Sequence, residues 1–429
     1  MELHYCVPVW GSAYVAQLTD VSLPSLLAPG NLPALSQMVS VRLRIFTRSA
    51  DARQIRDSAI WPRLVACVPV DIVTCDDLNL SETYAGMSNL LQAAIRQAGA
   101  AGAAFVPQAA DGFWSDGSLA TLGRLLHAGK RLVLCGGLRV VTETFAPAVR
   151  SRFGVPDGAI AISGRDMVDL ALDHLHPSMG LYFNDSRLRA VSTSWWLRPY
   201  SRRSLVQNIF HFVPLAVVGT GYDARFNGTV DRGFVETLDV RPEDVALIDS
   251  SDDLTLVDLA PAARVIGEPQ LTCLSDAVFT GRWFREMGES HAFLGGRFYA
   301  KPIRFRGGDA DDPAVRRAER QAARMARRQV YAGLVVAEAL AVAAALHAAG
   351  WLDLAHDVKA RALSGGLSLP VGRLAPYTAC LPADPSTLVS VLDRLKDHVV
   401  VGRGHVPPAG ALAGPIETGL GEIYVLGSR

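Results

Sequence analysis

Two acids, Asp111 and Asp116, stand in the stretch FVPQAADGFWSDGSLATL, where an apolar run stops and a helical pattern begins. Carboxylates placed just past a buried strand have two common uses. They cap the next helix by accepting its free N–H groups, or they hold a divalent cation and, through it, the phosphates of a ligand. Asp116, followed by Gly117 and Ser118, is placed to cap the helix over LATLGRLL. Asp111 lies too far ahead of that helix to cap it, which leaves a turn or a cation.

A second polar set comes later. HFVPLAVVGTGYDARFNGTVDRGFV carries His211, Asp223, Asn227, Thr229 and Asp231, and ALIDSSDDLTLVDL carries Asp249, Ser250, Asp252 and Asp253. Each cluster is either an Asx-rich turn or a source of catalytic carboxylates. His211 alternates with aromatics in FHF, so it is either a packed core histidine or a metal ligand. A third feature is the basic run Arg316, Arg317, Arg320, Arg324, Arg327 and Arg328, spaced by threes and fours so that most share one helical face. It reads as a solvated face or as a contact for a phosphorylated acceptor, a lipid headgroup or an acidic partner. Trp195 and Trp196, with Arg198 and Tyr200, form either a core contact or a platform for a sugar ring.

The elements that must position these residues show in the pattern. Short apolar or alternating runs, LHYCVPVW, VRLRIFTR, VDIVTCD, AAFVPQA and RLVLCGGL, are separated by helical segments of ten or more residues. That alternation predicts an α/β fold, a mostly parallel sheet with helices on both faces. SETYAGMSNLLQAAIRQAG reads as a long helix with Ser81 as its cap and Gly99 as its stop. In open sheets of this kind, ligands sit beyond the carboxyl ends of the strands. Those ends are Pro8 to Tyr14, Thr47 to Asp51 with Arg48, Cys75 to Asp77, and Asp111 to Ser118. VPVWGSAY is neither of the glycine-rich phosphate loops, which argues against a dinucleotide fold or a P-loop enzyme. From Asp309 the composition turns helical, with Pro313 suited to a first turn. The expected division is residues 1–306 and a mainly helical C-terminal domain over 309–429.

Composition excludes several classes. The 429 residues carry 42 basic and 42 acidic side chains, so no global field draws nucleic acid. Six cysteines without a C-x-x-C pair read as buried thiols of a reducing compartment rather than as a disulfide framework. MELHYCVPVWG shows no basic leader, and LVVAEALAVAAALHAAGW is interrupted by Glu338 and His347. The expectation is a cytoplasmic protein with no membrane span, open to peripheral membrane contact and to pairing with a second copy through its alanine-rich helix.

The order CVPVWG, IFTR, IVTCDD, a long helix and then FVPQAADGFWSDGSLATL resembles the nucleotide-sugar-binding half of a GT-A fold glycosyltransferase, over roughly residues 1–260. In that family, carboxylates at the end of the fourth strand form the DxD element that holds a metal on the donor diphosphate. Asp111 falls on its first acid; position 113 is Phe, and Asp116 is the next acid. The resemblance implies a nucleotide-sugar donor held by Pro8, Tyr14, Arg48, Asp76, Asp77 and Asp111. It implies Mn²⁺ or Mg²⁺ on Asp111, Asp116 and His211, and a catalytic carboxylate among Asp231, Asp249, Asp252 and Asp253 on the acceptor side. The acceptor would be a glycan, a lipid-linked molecule or a protein. Two alternatives stand beside it: a sugar-phosphate nucleotidyltransferase, and a non-catalytic transferase-like binding or scaffold protein.

Overall fold

The computed structural model describes residues 1–363 apart from 79, 81–82, 184–185, 187, 191–194, 210–212, 221, 224–229, 231, 236–237, 265–268, 272–277, 279–280, 282–300, 349 and 351, and then 399–402, 411–418 and 421–426. The chain forms two units. The first comprises Met1–Phe183, Pro199–Ile266 and Ile303–Glu319; the second comprises Asn184–Arg198, Gly267–Pro302 and Arg320–Arg429.

The first unit is α/β, as the alternation predicts. It begins with β1 (Glu2–Pro8), then α1 (Ser12–Gln17), a π turn (Leu18–Ser22), α2 (Leu23–Leu26) and α3 (Leu32–Met38). β2 (Ser40–Thr47), α4 (Ser49–Arg56), α5 (Trp61–Cys67), β3 (Val70–Thr74), α6 (Thr83–Ala100) and β4 (Ala104–Pro107) follow. Next come β5 (Gly112–Trp114), α7 (Ser118–His127), β6 (Leu132–Cys135), β7 (Gly137–Val141), α8 (Thr142–Phe153) and α9 (Gly164–Asp173). In chain order β8 (Leu188–Ala190), most of β9 (Trp195–Pro199) and β14 (Pro269–Leu271) fall in the second unit, while the later strands of the first are β10 (Ser204–Ile209), β11 (Val213–Val217), β12 (Val245–Leu247), β13 (Leu256–Ala260) and β15 (Ile303–Arg306), with α10 (Arg232–Val235) between β11 and β12.

Seven strands form the main sheet in the order β12-β6-β11-β4-β1-β2-β3. β11 runs antiparallel to both neighbours, and the other described pairs are parallel. Side-chain alternation then sorts the strands into two faces. Leu3, Tyr5 and Val7 of β1 join Leu43 and Ile45 of β2 in a core with Leu18, Leu26, Leu35 and Leu122 from the helices. On the other face α6 packs against β1 and β4, and Phe105 meets Phe234 edge to face with ring centroids 6.3 Å apart. A second sheet, β5-β13-β7, has β13 antiparallel to β5 and parallel to β7. The polar loop DSSDD separates two strands, β12 and β13, that belong to different sheets.

The second unit holds the antiparallel pair β8–β14, most of the helical run α11 (Pro313–Ala348) and α12 (Leu352–Leu363), and a three-stranded antiparallel sheet. That sheet is β16 (Val399–Gly402), β17 (Ala411–Thr418) and β18 (Gly421–Leu426), with β18 central. Among the described residues the C-terminal region is thus helical and then β. Among the described residues, no helix is long and apolar enough to cross a membrane.

One buried side chain fastens the helices that frame the edge of the first unit. Asn31 is fully buried; its Nδ2 donates to Ser25 O at 2.8 Å and Ser115 O at 3.1 Å, and its Oδ1 accepts from Leu119 N at 3.0 Å. It therefore satisfies a free N–H at the start of α7 from a distant segment, as an N-cap does locally. Asn31→Ala is expected to lower unfolding free energy by roughly 1–3 kcal/mol, because the buried Leu119 N–H loses its partner and the Ser25 and Ser115 carbonyls each keep only a backbone N–H at 3.3 Å. Urea denaturation of the two proteins measures it.

Candidate functional site

Asp111 sits in the turn between β4 and β5, and that turn is built around a side-chain amide. Gln108, buried at the end of β4, accepts at Oε1 from Tyr5 Oη at 2.8 Å and from Trp114 Nε1. With its carbonyl so held, its amide nitrogen faces the turn and donates to Ala109 O at 2.7 Å and Gly112 O at 3.1 Å. A Cβ at position 112 would stand 2.7 Å from that nitrogen, which is why the turn closes on a glycine. Ser22 Oγ holds Ala110 O at 2.7 Å. The backbone of Asp111 then joins the second sheet: Leu259 N donates to Asp111 O at 2.9 Å.

This pairing brings a second acid to Asp111. Asp258 of β13 stands opposite Gly112 in the antiparallel register and opposite Arg139 in the parallel one. Arg139 Nε donates to Asp258 Oδ2 at 2.7 Å, and Nη2 contacts the same oxygen. Asp258 Oδ1 has no hydrogen-bond partner among the described residues. Burial pushes the Asp111 carboxyl up to about 7, and the charge of Asp258 pushes the same way; its own N–H, Arg139 and Arg264 oppose them. Burial works against the charge of Arg139, but Asp258, Tyr182 and Asp111 hold its pKa above the usual range. Tyr182 closes the group from a 3-10 turn (Pro177–Tyr182), its phenol raised by burial against the pull of Arg139.

The strand-end residues line the neighbouring edge. Pro8 is buried as the last residue of β1, beside Phe46. Gly11, at a φ of 83°, donates its N–H to Asp51 Oδ2 at 2.9 Å. Tyr14 on α1 accepts at its hydroxyl from Arg264 Nη1 at 2.9 Å. Arg48 is exposed at the start of α4. Asp76 is exposed as well, and it takes the Ser49 hydroxyl and, at 2.9 Å, the Ser49 N–H. Those two hydrogen bonds hold its carboxyl below the ordinary value. Asp77 is exposed beside it.

Other expected residues are placed differently. Asp116 does not cap α7, whose N-cap is Gly117 without a side-chain bond; its Oδ1 accepts from Gly30 N at 2.6 Å instead. The acid that arrives beside Asp111 is Asp258, and Phe113 is fully buried edge to face with Phe145, centroids 5.6 Å apart. Asp249 and Asp252 are matched by arginines: Arg304 Nη2 to Asp249 Oδ1 at 2.8 Å, and Arg165 Nε at 3.2 Å and Arg306 Nη1 at 2.7 Å to Asp252. Arg306 also donates to the buried Glu319 at 2.7 Å. Asp249 follows β12, three strand positions from β4 in the sheet, or about 14 Å at the usual spacing. Asp253 is exposed, its backbone carbonyl accepting from Thr121 Oγ1 at 2.7 Å. Ser81, His211, Asn227, Thr229 and Asp231 lie outside the described residues. Among the described residues, no three His, Cys, Asp or Glu side chains gather as a metal-binding group.

Sequence reasoning missed Gln108, Arg139, Tyr182, Asp258 and Arg264. The usable signal was a lone charge inside an apolar strand, Asp258 in LTLVDLA and Arg139 in GLRVV, because a charge in such a place needs a partner.

Two outcomes follow from this arrangement. Asp111 has a folded pKa raised from 3.8 to about 7. The folded state therefore holds its proton longer than the unfolded chain, and stability falls as pH rises from about 4 to about 7. Asp111→Asn removes that cost: it should stabilise the protein little at pH 4 and progressively more towards pH 8, up to an order of 4 kcal/mol. Thermal melts of both proteins across that range decide it, and a variant less stable at pH 8 refutes it. Gln108→Leu strands the Tyr5 hydroxyl and the Trp114 indole N–H, and should cost about 2–4 kcal/mol in chemical denaturation.

No protein-family model matches this chain, and no curated protein matches it. Among solved structures it is similar to a putative glucose-1-phosphate thymidylyltransferase from Bacillus anthracis in complex with a sucrose, at 15% identity and a TM-score of 0.22, over 36% of this chain and 59% of that one.

Proposed function

We propose that this chain is a glycosyltransferase that moves a sugar from a nucleoside diphosphate donor to an acceptor. The observation that carries the proposal is the pair Asp111 and Asp258, pressed together beside Arg139 and Arg264 where β4 gives way to the second sheet. Strand carboxyl ends are where open α/β sheets bind ligands. Arg48, Asp76 and Asp77, at the ends of β2 and β3, would face the nucleoside.

The donor set fits a divalent cation. Among the described residues Asp111 accepts only its own N–H and Asp258 keeps Oδ1 free, so carboxylate oxygens from the β4–β5 turn and from β13 are available. Mg²⁺ and Mn²⁺ take one or two carboxylates and complete their shell with water and ligand phosphates. Bound there, the cation would supply positive charge to the departing diphosphate. The chain's own part is to hold the two acids through Gln108 and Arg139, and to place guanidinium groups around them. Of the three acids in the loop after β12, Asp249 and Asp252 are committed to arginines, so Asp253 is the described candidate for the base at the acceptor. A nucleotidyltransferase fits less well, because Gly11 gives its N–H to Asp51 and the loop after β1 offers a triphosphate no basic residue.

Thermal shift against UDP, GDP and CDP and their sugar conjugates, with and without Mn²⁺, tests the proposal. One nucleotide should stabilise the protein by about 2.7 kcal/mol at a hundred times its dissociation constant, and Asp258→Asn should abolish the metal-dependent part. Stabilisation by none of them would favour a non-catalytic binding or scaffold protein.

A further inference from the structure

Beyond the acid pair, a second feature of the same edge is built with more fixtures than a surface turn needs. Residues 261–264 form a turn directly after β13, closed by Arg264 N to Pro261 O at 2.9 Å. Pro261 O also takes His176 Nε2 at 2.9 Å. That tautomer is fixed, because His176 Nδ1 accepts from Ser178 N at 3.2 Å. Both carboxylate oxygens of Glu143 accept the next N–H, that of Ala262, at 3.2 and 3.0 Å. The turn is thus held from β7's flank and from α8, and its last residue is an arginine.

Arg264 is half-buried, and it makes one side-chain hydrogen bond, Nη1 to the Tyr14 hydroxyl at 2.9 Å. A guanidinium has five N–H donors, so most of this one is unspent among the described residues. It lies close enough to Asp111 for its charge to oppose the effect of burial on that carboxyl, yet no hydrogen bond joins them. A planar fork held in place with free donors is suited to phosphate oxygens. Tyr14 belongs to the helix after β1 and Arg264 to the turn after β13, so their bond ties together two segments that follow strand carboxyl ends.

We propose that Arg264 binds the diphosphate at this site and sets its preference for a nucleoside diphosphate over a monophosphate, with Tyr14 as the residue that positions the guanidinium. This rests on the nucleotide-sugar reading above. It goes beyond that reading by assigning the phosphate discrimination to one side chain outside the acid pair.

Titration calorimetry in Mg²⁺ with inorganic pyrophosphate, orthophosphate and the pairs UDP/UMP, GDP/GMP and CDP/CMP tests it on the full chain. The wild type should favour the diphosphate of its preferred pair. Arg264→Ala should weaken that diphosphate and pyrophosphate by about tenfold to a hundredfold, and leave the monophosphate nearly unchanged. Arg264→Lys, which keeps the charge and loses the fork, should recover part of the loss, and Tyr14→Phe should fall between wild type and Arg264→Ala. An unchanged diphosphate-to-monophosphate ratio in Arg264→Ala overturns the assignment and leaves the nucleotide-sugar reading standing. Pyrophosphate binding that depends on Arg264 with no nucleotide bound overturns that reading and keeps the diphosphate site. Binding of no phosphate compound overturns both.

Discussion

The turn from β4 into β5 must leave one sheet, present an acid and enter another within four residues, and the side-chain amide of Gln108 is what lets it do so. Backbone groups in such a turn cannot all find partners in a ladder, and buried ones cannot be left without any. Gln108 takes two of the carbonyls, while Tyr5 and Trp114 hold its own oxygen and so decide which way its nitrogen faces. Tyr5 is on β1 and Trp114 on β5, so the amide ties the first strand of one sheet to the edge strand of the other. The orientation of Asp111, the approach of β13 and the meeting with Asp258 all follow from that small network. A fully satisfied buried network of this kind rigidifies what it encloses.

The charges gathered there are uneven, and the unevenness is informative. Asp258 has Arg139 across the strand pair, so its burial is compensated. Asp111 has its own N–H and two guanidinium groups that reach it by field alone, so burial and the neighbouring acid prevail. A carboxyl kept in that condition has no structural return: an asparagine would fit the turn without the electrostatic cost. Environments that shift a carboxyl so far are concentrated at functional sites, and structural networks are the competing explanation. Here the competing explanation has a direct comparison in the same unit.

That comparison is the cluster after β12, three strand positions from β4 in the sheet. Asp249, Asp252, Asp311 and Glu319 are interleaved with Arg165, Arg304, Arg306 and Arg316, each acid meeting at least one guanidinium. It pins the loop after β12 to β15 and to the first turns of α11. From the sequence, DSSDD reads either as an Asx-rich turn or as a source of catalytic carboxylates, because the arginines that meet Asp249 and Asp252 come from segments far along the chain. The same distance hid the real neighbour of Asp111. Local periodicity made the strands and helices legible, since a period of two or of 3.6 is written in adjacent residues, and the position of Asp111 past a strand could be read the same way. Which lone charge in LTLVDLA faces which lone charge in GLRVV depends on the pairing of β13 with β7, and no local pattern encodes that register. Asp116 departs from expectation for a related reason: its neighbours Gly117 and Ser118 suggest a local cap, while the oxygen that accepts α7's free N–H belongs to Asn31, many residues earlier.

A balanced cluster and an unbalanced one, built from the same residue types in one unit, therefore separate structure from function better than either would alone. Where acids and arginines are matched with close hydrogen bonds, the network is complete and offers a ligand little. Where, among the described residues, a half-buried acid has no matching donor, an oxygen of its neighbour is unused and an arginine on a clamped turn keeps most of its donors free, a ligand would have to carry both signs. A cation answers the carboxylates and a polyanion answers the guanidinium. On the proposed reading a metal-bound diphosphate is one ligand that would bring both, and it would leave the remaining edge, with Arg48, Asp76 and Asp77, for whatever the diphosphate carries.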